Sequence, residues 1–358
     1  MDPDAVDALV GHPYHDQAST ASDDQRGTSN LRIAQEGPDD RLLLDFSSTT
    51  NPAIPTGAVQ AYQSAFAASR SYPSDSYCDF RIAAAEYVGC EPEQVIPTAG
   101  RMAALRLAIA TTIDSGDSVV LPEPSFEGYE REVALQGGEP TFVSHSEMLN
   151  VDPAQHDLIV VDTPNNPTGQ AYDPRELSAF ADRCQHAGTP LLVDEAFLDF
   201  TDIPSLAGRD GVIVTRSLAN IFGFPGLRIG FAVATGTYRD RLDVTRLPWG
   251  VGEPAVSLAT YCLDQPAFIE ETRDRVEQER TRLEEHLSAH FDILPSAAPF
   301  LLLDAGSSER VDDVIAHARE EGIVVRDARD FRGLDSHIRV SIRLPDENDQ
   351  LIAALTEI

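Results

Sequence analysis

A chain of 358 residues with 42% hydrophobic content is long enough for two domains and a sizeable buried core. Its 59 acidic and 27 basic residues give a formal net charge of −32, and all 27 are arginine, so the chain has no lysine. A surface this acidic repels nucleic-acid phosphates and needs counterions to screen it, as in proteins adapted to high salt.

Residues 1–40 are polar and weakly periodic, and predict an N-terminal arm with one short helix. His12 and His15 lie there without further Cys or His partners, so they read as a solvated pair rather than a metal site. From Leu42 onward, short apolar runs alternate with amphipathic stretches. Helix is expected over Arg101–Ile113, Phe126–Leu135 and Pro174–His186, and strand over Ser118–Leu121, Leu158–Asp162, Leu191–Asp194, Val212–Thr215 and Ile229–Ala234. Continuous apolar strands separated by helices predict an α/β fold with a mostly parallel sheet covered on both faces. Phe268–His290 is a long charged helix, and the remainder reads as strand, strand, helix, strand, strand, helix. The division expected is a large domain over 41–265 and a small one over 266–358, linked by the helix at 266–290.

Cys78, Cys90, Cys184 and Cys262 are widely spaced and form no C-x-x-C pair, which suits free thiols in a reducing compartment. No apolar run approaches the roughly 18–20 residues that span a bilayer, and the acidic start is unlike a signal peptide. The expectation is a soluble, cytoplasmic protein with no membrane partner.

The informative motifs come in a fixed order. Asp162-Thr163-Pro164-Asn165-Asn166-Pro167-Thr168-Gly169 follows a strand, and Asp194-Glu195-Ala196-Phe197-Leu198-Asp199-Phe200 leaves another. Ser217, Gly226-Leu227-Arg228 and Gly230 come next. Singly, each is a turn or a cap. Together they resemble the fold-type-I pyridoxal phosphate enzymes, whose large domain is built on a seven-stranded, mostly parallel sheet with a small α/β domain behind it. Within that group the chain is similar to the branch holding histidinol-phosphate aminotransferase and threonine-phosphate decarboxylase. Leu44-Asp45-Phe46-Ser47 with Asn51-Pro52, Asp194-Glu195-Ala196-Phe197-Leu198-Asp199-Phe200 and Ile338-Arg339-Val340-Ser341-Ile342-Arg343 lean the resemblance toward the decarboxylase, which serves cobalamin synthesis.

The resemblance implies pyridoxal 5'-phosphate or pyridoxamine phosphate, with roles for particular residues. Asp194 matches the carboxylate beside the pyridine nitrogen, Asn166 the donor to the phenolic oxygen, and Phe126 the aromatic stacked on the ring. Phe197 stands where many relatives have a tyrosine; it and Phe126 also suit a plain core. Gly100, Arg101 and Met102 open a helix whose N-terminus suits a phosphate, with Ser217 and Arg228 as side-chain ligands. Arg101 stands where relatives carry a small residue, and either adds charge to the phosphate or crowds it. Tyr72 resembles the tyrosine that reaches a neighbouring subunit's phosphate, implying a homodimer. Arg339 matches the substrate-carboxylate arginine, with Asn51 and Arg326 as further substrate contacts and Arg343 a weaker one.

By the same resemblance, Asn220 occupies the position of the Schiff-base lysine, and its amide is neither nucleophilic nor basic. Ala219 replaces a neighbouring hydroxyl residue. Three readings follow: an aminotransferase or decarboxylase acting on a small amino-acid phosphate, an enzyme that holds its cofactor non-covalently and uses another base, or a catalytically silent subunit pairing with an active paralogue.

Overall fold

The computed structural model describes residues 1–10 and 43–358, so His12, His15 and most of the expected arm lie outside the described residues. Helix α1 (Pro3–Val10) is the short helix expected there, and Asp2 N donates to Leu135 O at 3.2 Å. Strand β1 (Leu44–Asp45) and helices α2 (Ala58–Ala65) and α3 (Cys78–Val88) lead into β2 (Val95–Thr98). Helix α4 (Arg101–Thr112), β3 (Ser118–Glu123), α5 (Gly128–Leu135), β4 (Glu139–Ser144), β5 (Leu158–Asp162), α6 (Pro174–Ala187) and β6 (Leu191–Asp194) then alternate. The large sheet is completed by β7 (Val212–Ser217) and, after the single-turn α7 (Ala219–Phe222), by β8 (Gly230–Val233).

Its strand order is β2-β8-β7-β6-β5-β3-β4, with only β8 antiparallel to its neighbours. The seven-stranded, mostly parallel sheet is as expected. Alternate residues of each strand feed opposite cores: Ile159, Val161, Leu191, Val193, Val212 and Val214 face one side, and Leu158, Val160, Leu192 and Ile213 the other. Burial on both faces explains why these strands are continuous apolar runs rather than alternating ones. Helix α6 shows how local signals set the element ends. Asp173 accepts from Arg175 N and Glu176 N, Pro174 supplies a pre-set φ, and Gly188 takes the left-handed conformation after the last turn.

Helices α8 (Gly236–Thr245) and α9 (Glu253–Leu263) precede α10 (Pro266–Leu287), the expected long helix. Its buried stripe, Ile269, Thr272, Val276, Glu279, Leu283 and Leu287, keeps helical spacing. Beyond it, β9 (Asp292–Ile293), β10 (Phe300–Asp304), α11 (Ser308–Glu320), β11 (Ile323–Val324), β12 (Arg326–Asp327), β13 (His337–Ser341) and α12 (Pro345–Thr356) form the C-terminal region. Strands β12-β13-β10-β9 make an antiparallel sheet. One assignment differs from expectation. Residues 44–46, expected with the large domain, are tied to the C-terminal region: β1 pairs with β11, and Ser341 N donates to Phe46 O.

No helix among the described residues is long and apolar enough to cross a membrane. Among the same residues no group of three or more His, Cys, Asp or Glu could hold a metal.

Candidate functional site

Strand register places the site. Asp162, Asp194 and Thr215 pair across the ends of β5, β6 and β7, while Ser217 pairs with Gly230 and Gly230 with Thr98. Loops leaving one edge of a parallel sheet enclose a crevice, the usual ligand position in such folds. Here they border a cavity of about 620 Å³ lined by Gly100, Arg101, Met102, Phe126, Asn166, Phe197, Ser217, Asn220, Arg228 and Arg326, together with Ser48–Thr50 and Phe331.

The turn after β5 is rigid because its polar groups satisfy one another. Asp162 accepts from Asn165 Nδ2 at 2.9 Å and Asn166 N at 3.1 Å. Asn165 also donates to Pro124 O and accepts from Thr168 N and Oγ1, tying the β3 and β5 loops together. Burial pushes the Asp162 carboxyl up to about 7 despite these donors. Asn166 Oδ1 accepts from Arg339 at 2.6 Å, which fixes the amide at the cavity wall.

Gly100, Ser217 and Arg228, expected as phosphate contacts, all line the cavity. Helix α4 starts at Gly100 with no side-chain cap, which leaves its first N–H groups for an anion. Gly100 has φ +87°, and a Cβ there would lie 2.5 Å from the Arg228 guanidinium, so that side chain rests against the helix start. Gly230 allows an equally close approach, since its Cβ would meet Arg216 O at 2.6 Å and Arg101 N at 2.9 Å. Ser217 is buried in the same corner, and Arg228 donates to Pro225 O at 2.9 Å.

At the ring end, Arg101 reaches away from the helix start and forms an ion pair with Asp194 Oδ2. Its guanidinium lies over the Phe126 ring, 4.5 Å from the centroid. Tyr129, which the motif reading omits, donates to the same Oδ2 at 2.5 Å. Its spacing of three from Phe126 near the start of α5 is the signal that could have found it. Asp194 Oδ1 accepts from Thr215 Oγ1 and Ala196 N, each at 3.2 Å. Burial, the largest single influence, works against the charged guanidinium of Arg101, yet the Asp194 charge and hydrogen bond together with Tyr129 and Asp162 outweigh it and the net shift is upward. Burial, then Asp194 and Asp162, push the Tyr129 phenol well above its ordinary value.

Several expected site residues stand elsewhere. Asn51 does not line the cavity: its Nδ2 donates to Ile221 O and its Oδ1 accepts from Arg275, while its backbone N–H donates to Asn220 O. It holds the α7 turn in place, a positioning role rather than a substrate contact. Arg339 is wholly buried, donates to Asn166 and Ser47 O, and lies over Phe300, with the cavity lined by Arg326 instead. Arg326 pairs with Asp330 at 3.4 Å, and its buried Nε has no hydrogen-bond partner among the described residues. Arg343 is taken up by Glu347 and Asp45 O. Tyr72 is 83% exposed and packs on Trp249, outside its own chain's cavity. Phe197 lines the cavity and meets Phe300 edge-on. Asn220 also lines it, donating to Ala196 O at 3.3 Å.

The fit to pyridoxal phosphate is therefore divided. The α4 start, Ser217 and Arg228 fit the phosphate. The ring does not fit alongside Arg101, because a carboxylate offers about four acceptor positions and four donors of this chain already fill those of Asp194. No side-chain amine exists to hold the group covalently.

Comparison with known proteins agrees with the fold. Residues 45–355 match the family model for aminotransferase class I and II. Histidinol-phosphate aminotransferase 2 of Archaeoglobus fulgidus is 31% identical over 331 residues, covering 89% of this chain and 94% of the relative. Among solved structures, L-threonine-O-3-phosphate decarboxylase from Porphyromonas gingivalis is similar at TM-score 0.79 and 24% identity, over 88% of this chain and 99% of that one. Histidinol-phosphate aminotransferase from Sinorhizobium meliloti, solved in complex with pyridoxal-5'-phosphate, reaches TM-score 0.79 at 22% identity, over 87% of this chain and 89% of that one. The cradle at the sheet edge, the order of its motifs and these matches lead to one statement: the chain belongs to the class I and II aminotransferases, a pyridoxal phosphate-dependent family.

Proposed function

We propose that this chain binds a small phosphate-bearing ligand non-covalently in the cavity and carries out no ordinary Schiff-base turnover. The observation that carries the reading is the absence of any lysine in 358 residues, with an asparagine amide at the cavity wall where the family resemblance expects one. An amide nitrogen is neither a nucleophile toward a carbonyl nor a base for a substrate C–H. The anion-binding features remain: the uncapped start of α4, Ser217 and Arg228, with Arg326 also lining the cavity. A cavity of about 620 Å³ suits an amino-acid phosphate, the class suggested by the histidinol phosphate and threonine phosphate in the relatives' names.

The ligand-binding form is a dimer. Phe66, Tyr72, Leu247 and Trp249 are 55–83% exposed, an apolar set that a second subunit would cover. The partner is a second copy or an active paralogue whose phosphate site Tyr72 completes.

The test is to mix the purified chain with pyridoxal phosphate, reduce with borohydride and map the peptides. No side-chain adduct is expected, and an adduct within residues 190–240 would sink the reading. Turnover of histidinol phosphate or threonine phosphate at a rate of about 1 s⁻¹ or more, an ordinary enzymatic value, would sink it as well.

A further inference from the structure

We propose that Arg101 is a built-in stand-in for the pyridinium ring: it occupies the ring seat of the cavity, so a pyridine ligand binds only by displacing it. A protonated pyridine is a planar cation that needs an aromatic face against it and a carboxylate on its N–H. The guanidinium of Arg101 is also a planar cation with N–H donors, and it has both partners, the Phe126 face at 4.5 Å and the Asp194 carboxylate.

The competition is for one carboxylate oxygen and one patch of space. Asp194 Oδ1 is held by a backbone N–H and by Thr215, which is buried in β7, and Oδ2 is shared by Tyr129 and Arg101. Thr215 and Tyr129 are at most 1% exposed and do not border the cavity. Arg101 is the one donor of the four that lines it, with 16% of its side chain exposed. A ring entering from the cavity therefore meets Arg101 first, and its N–H finds an acceptor only after that ion pair opens. The phosphate end is unaffected, because the backbone start of α4, Ser217 and Arg228 do not depend on where the Arg101 side chain points.

The proposal rests on the phosphate-binding reading above and sharpens its ligand class: phosphate monoesters without a pyridine ring are accepted as readily as those with one. The test is calorimetric titration of the full-length protein in high salt with pyridoxamine phosphate and with glycerol 3-phosphate. Neither has an aldehyde, so the ring seat is probed without covalent chemistry. In the unmodified protein the two dissociation constants are expected to agree within about threefold. In Arg101→Ser the preference for pyridoxamine phosphate is expected to rise by about tenfold or more, since the ring gains a stacking face and a charged acceptor.

An unmodified protein that already prefers pyridoxamine phosphate by about tenfold, or an R101S protein that gains no preference for it, overturns the proposal. If R101S fails to fold, the preference of the unmodified protein alone decides. If glycerol 3-phosphate does not bind while R101S still gains pyridoxamine phosphate, the phosphate-binding reading falls and the stand-in survives. The opposite pattern overturns the stand-in alone.

Discussion

Replacing Arg216 with methionine should destabilise the protein in a way that depends on pH. Arg216 lies on β7 beside the site, with 5% of its side chain exposed, between Glu195 at 3.0 Å and Asp199, which are 1% and 2% exposed. Tyr87 donates to Asp199 at 2.5 Å, and Ser205 Oγ and Leu206 N donate to Glu195 at 2.6 and 2.9 Å. Methionine keeps most of the volume and removes the cation paired with both side chains, which strands two buried carboxylates. A stranded carboxylate escapes by taking up a proton, and this sets an upper bound on its cost. From an ordinary Glu value of 4.5, protonation at pH 7 costs about 3.4 kcal/mol, and at pH 5 about 0.7 kcal/mol. In the variant the folded-state pKa lies above the unfolded value, so stability is retained below 4.5 and lost as pH rises through the new folded value. The expected loss is about 3 kcal/mol at pH 7 and under about 1 kcal/mol at pH 5 for the one carboxylate that protonates. At about 2.1 cal/mol/K per residue, the pH 7 loss lowers Tm by roughly 4–5 °C. Denaturant unfolding of both proteins at the two pH values measures it. A loss below about 1 kcal/mol at pH 7, or an equal loss at both pH values, would refute the argument.

The ring of His145 stacks on Tyr172 with centroids 4.0 Å apart, and burial brings its pKa down to about 4. A lowered folded-state value means that its contribution is present above about 6.5 and is lost as pH falls toward 4. His145→Phe, which keeps the stack, should therefore flatten the decline in stability between those values; unchanged pH dependence of Tm would show that the ring is solvated. Trp249, the single tryptophan, is 55% exposed against Tyr72, so its emission should move to the red on dilution as a dimer dissociates. Emission that stays fully solvated at every concentration, with a monomer in sedimentation, would remove the dimer.

Much of the scaffold was legible because burial on both faces writes strands plainly. Leu158–Asp162 and Leu191–Asp194 are read to the residue from continuous apolar runs. Strand β4 escapes that reading because it is the sheet edge: Glu139, Thr141 and Ser144 are exposed between partly buried neighbours. Helices α3 and α8 fail for a related reason, since apolar and charged residues lie around most of their circumference and give little amphipathic contrast. In the site, spacing along the chain finds which residues gather but not which way long side chains turn. Arg101 could reach the phosphate end or Asp194 from the same Cα. Arg326 and Arg339 sit opposite one another on β12 and β13, yet one lines the cavity and the other is buried behind Asn166. Asn51 is legible as a fixed polar residue, but its function of holding Asn220 and Ile221 depends on a contact 170 residues away in sequence.

The missing lysine and the placement of Arg101 bear on the same carboxylate. Asp194 is 1% exposed at the end of a central strand, and it carries two neutral side-chain donors, one backbone donor and one cation. A buried carboxylate without a cation is costly, and in a protein that holds its cofactor covalently the bound ring supplies that cation permanently. On the proposed reading, in which Asn220 stands at the Schiff-base position of a chain without lysine, ligand occupancy depends on concentration, and the empty protein must stabilise Asp194 by itself. A compositional drift from lysine to arginine accounts for neither an asparagine at 220 nor an arginine that turns inward at 101. A cation fixed to the chain accounts for the second as a consequence of the first. It also makes the order of changes testable: Asn220→Lys alone should form little covalent adduct with pyridoxal phosphate while Arg101 holds the ring seat, and the double variant with Arg101→Ser should form it readily. Equal adduct formation by the single and double variants would separate the two positions and leave Arg101 as an ordinary buried ion pair.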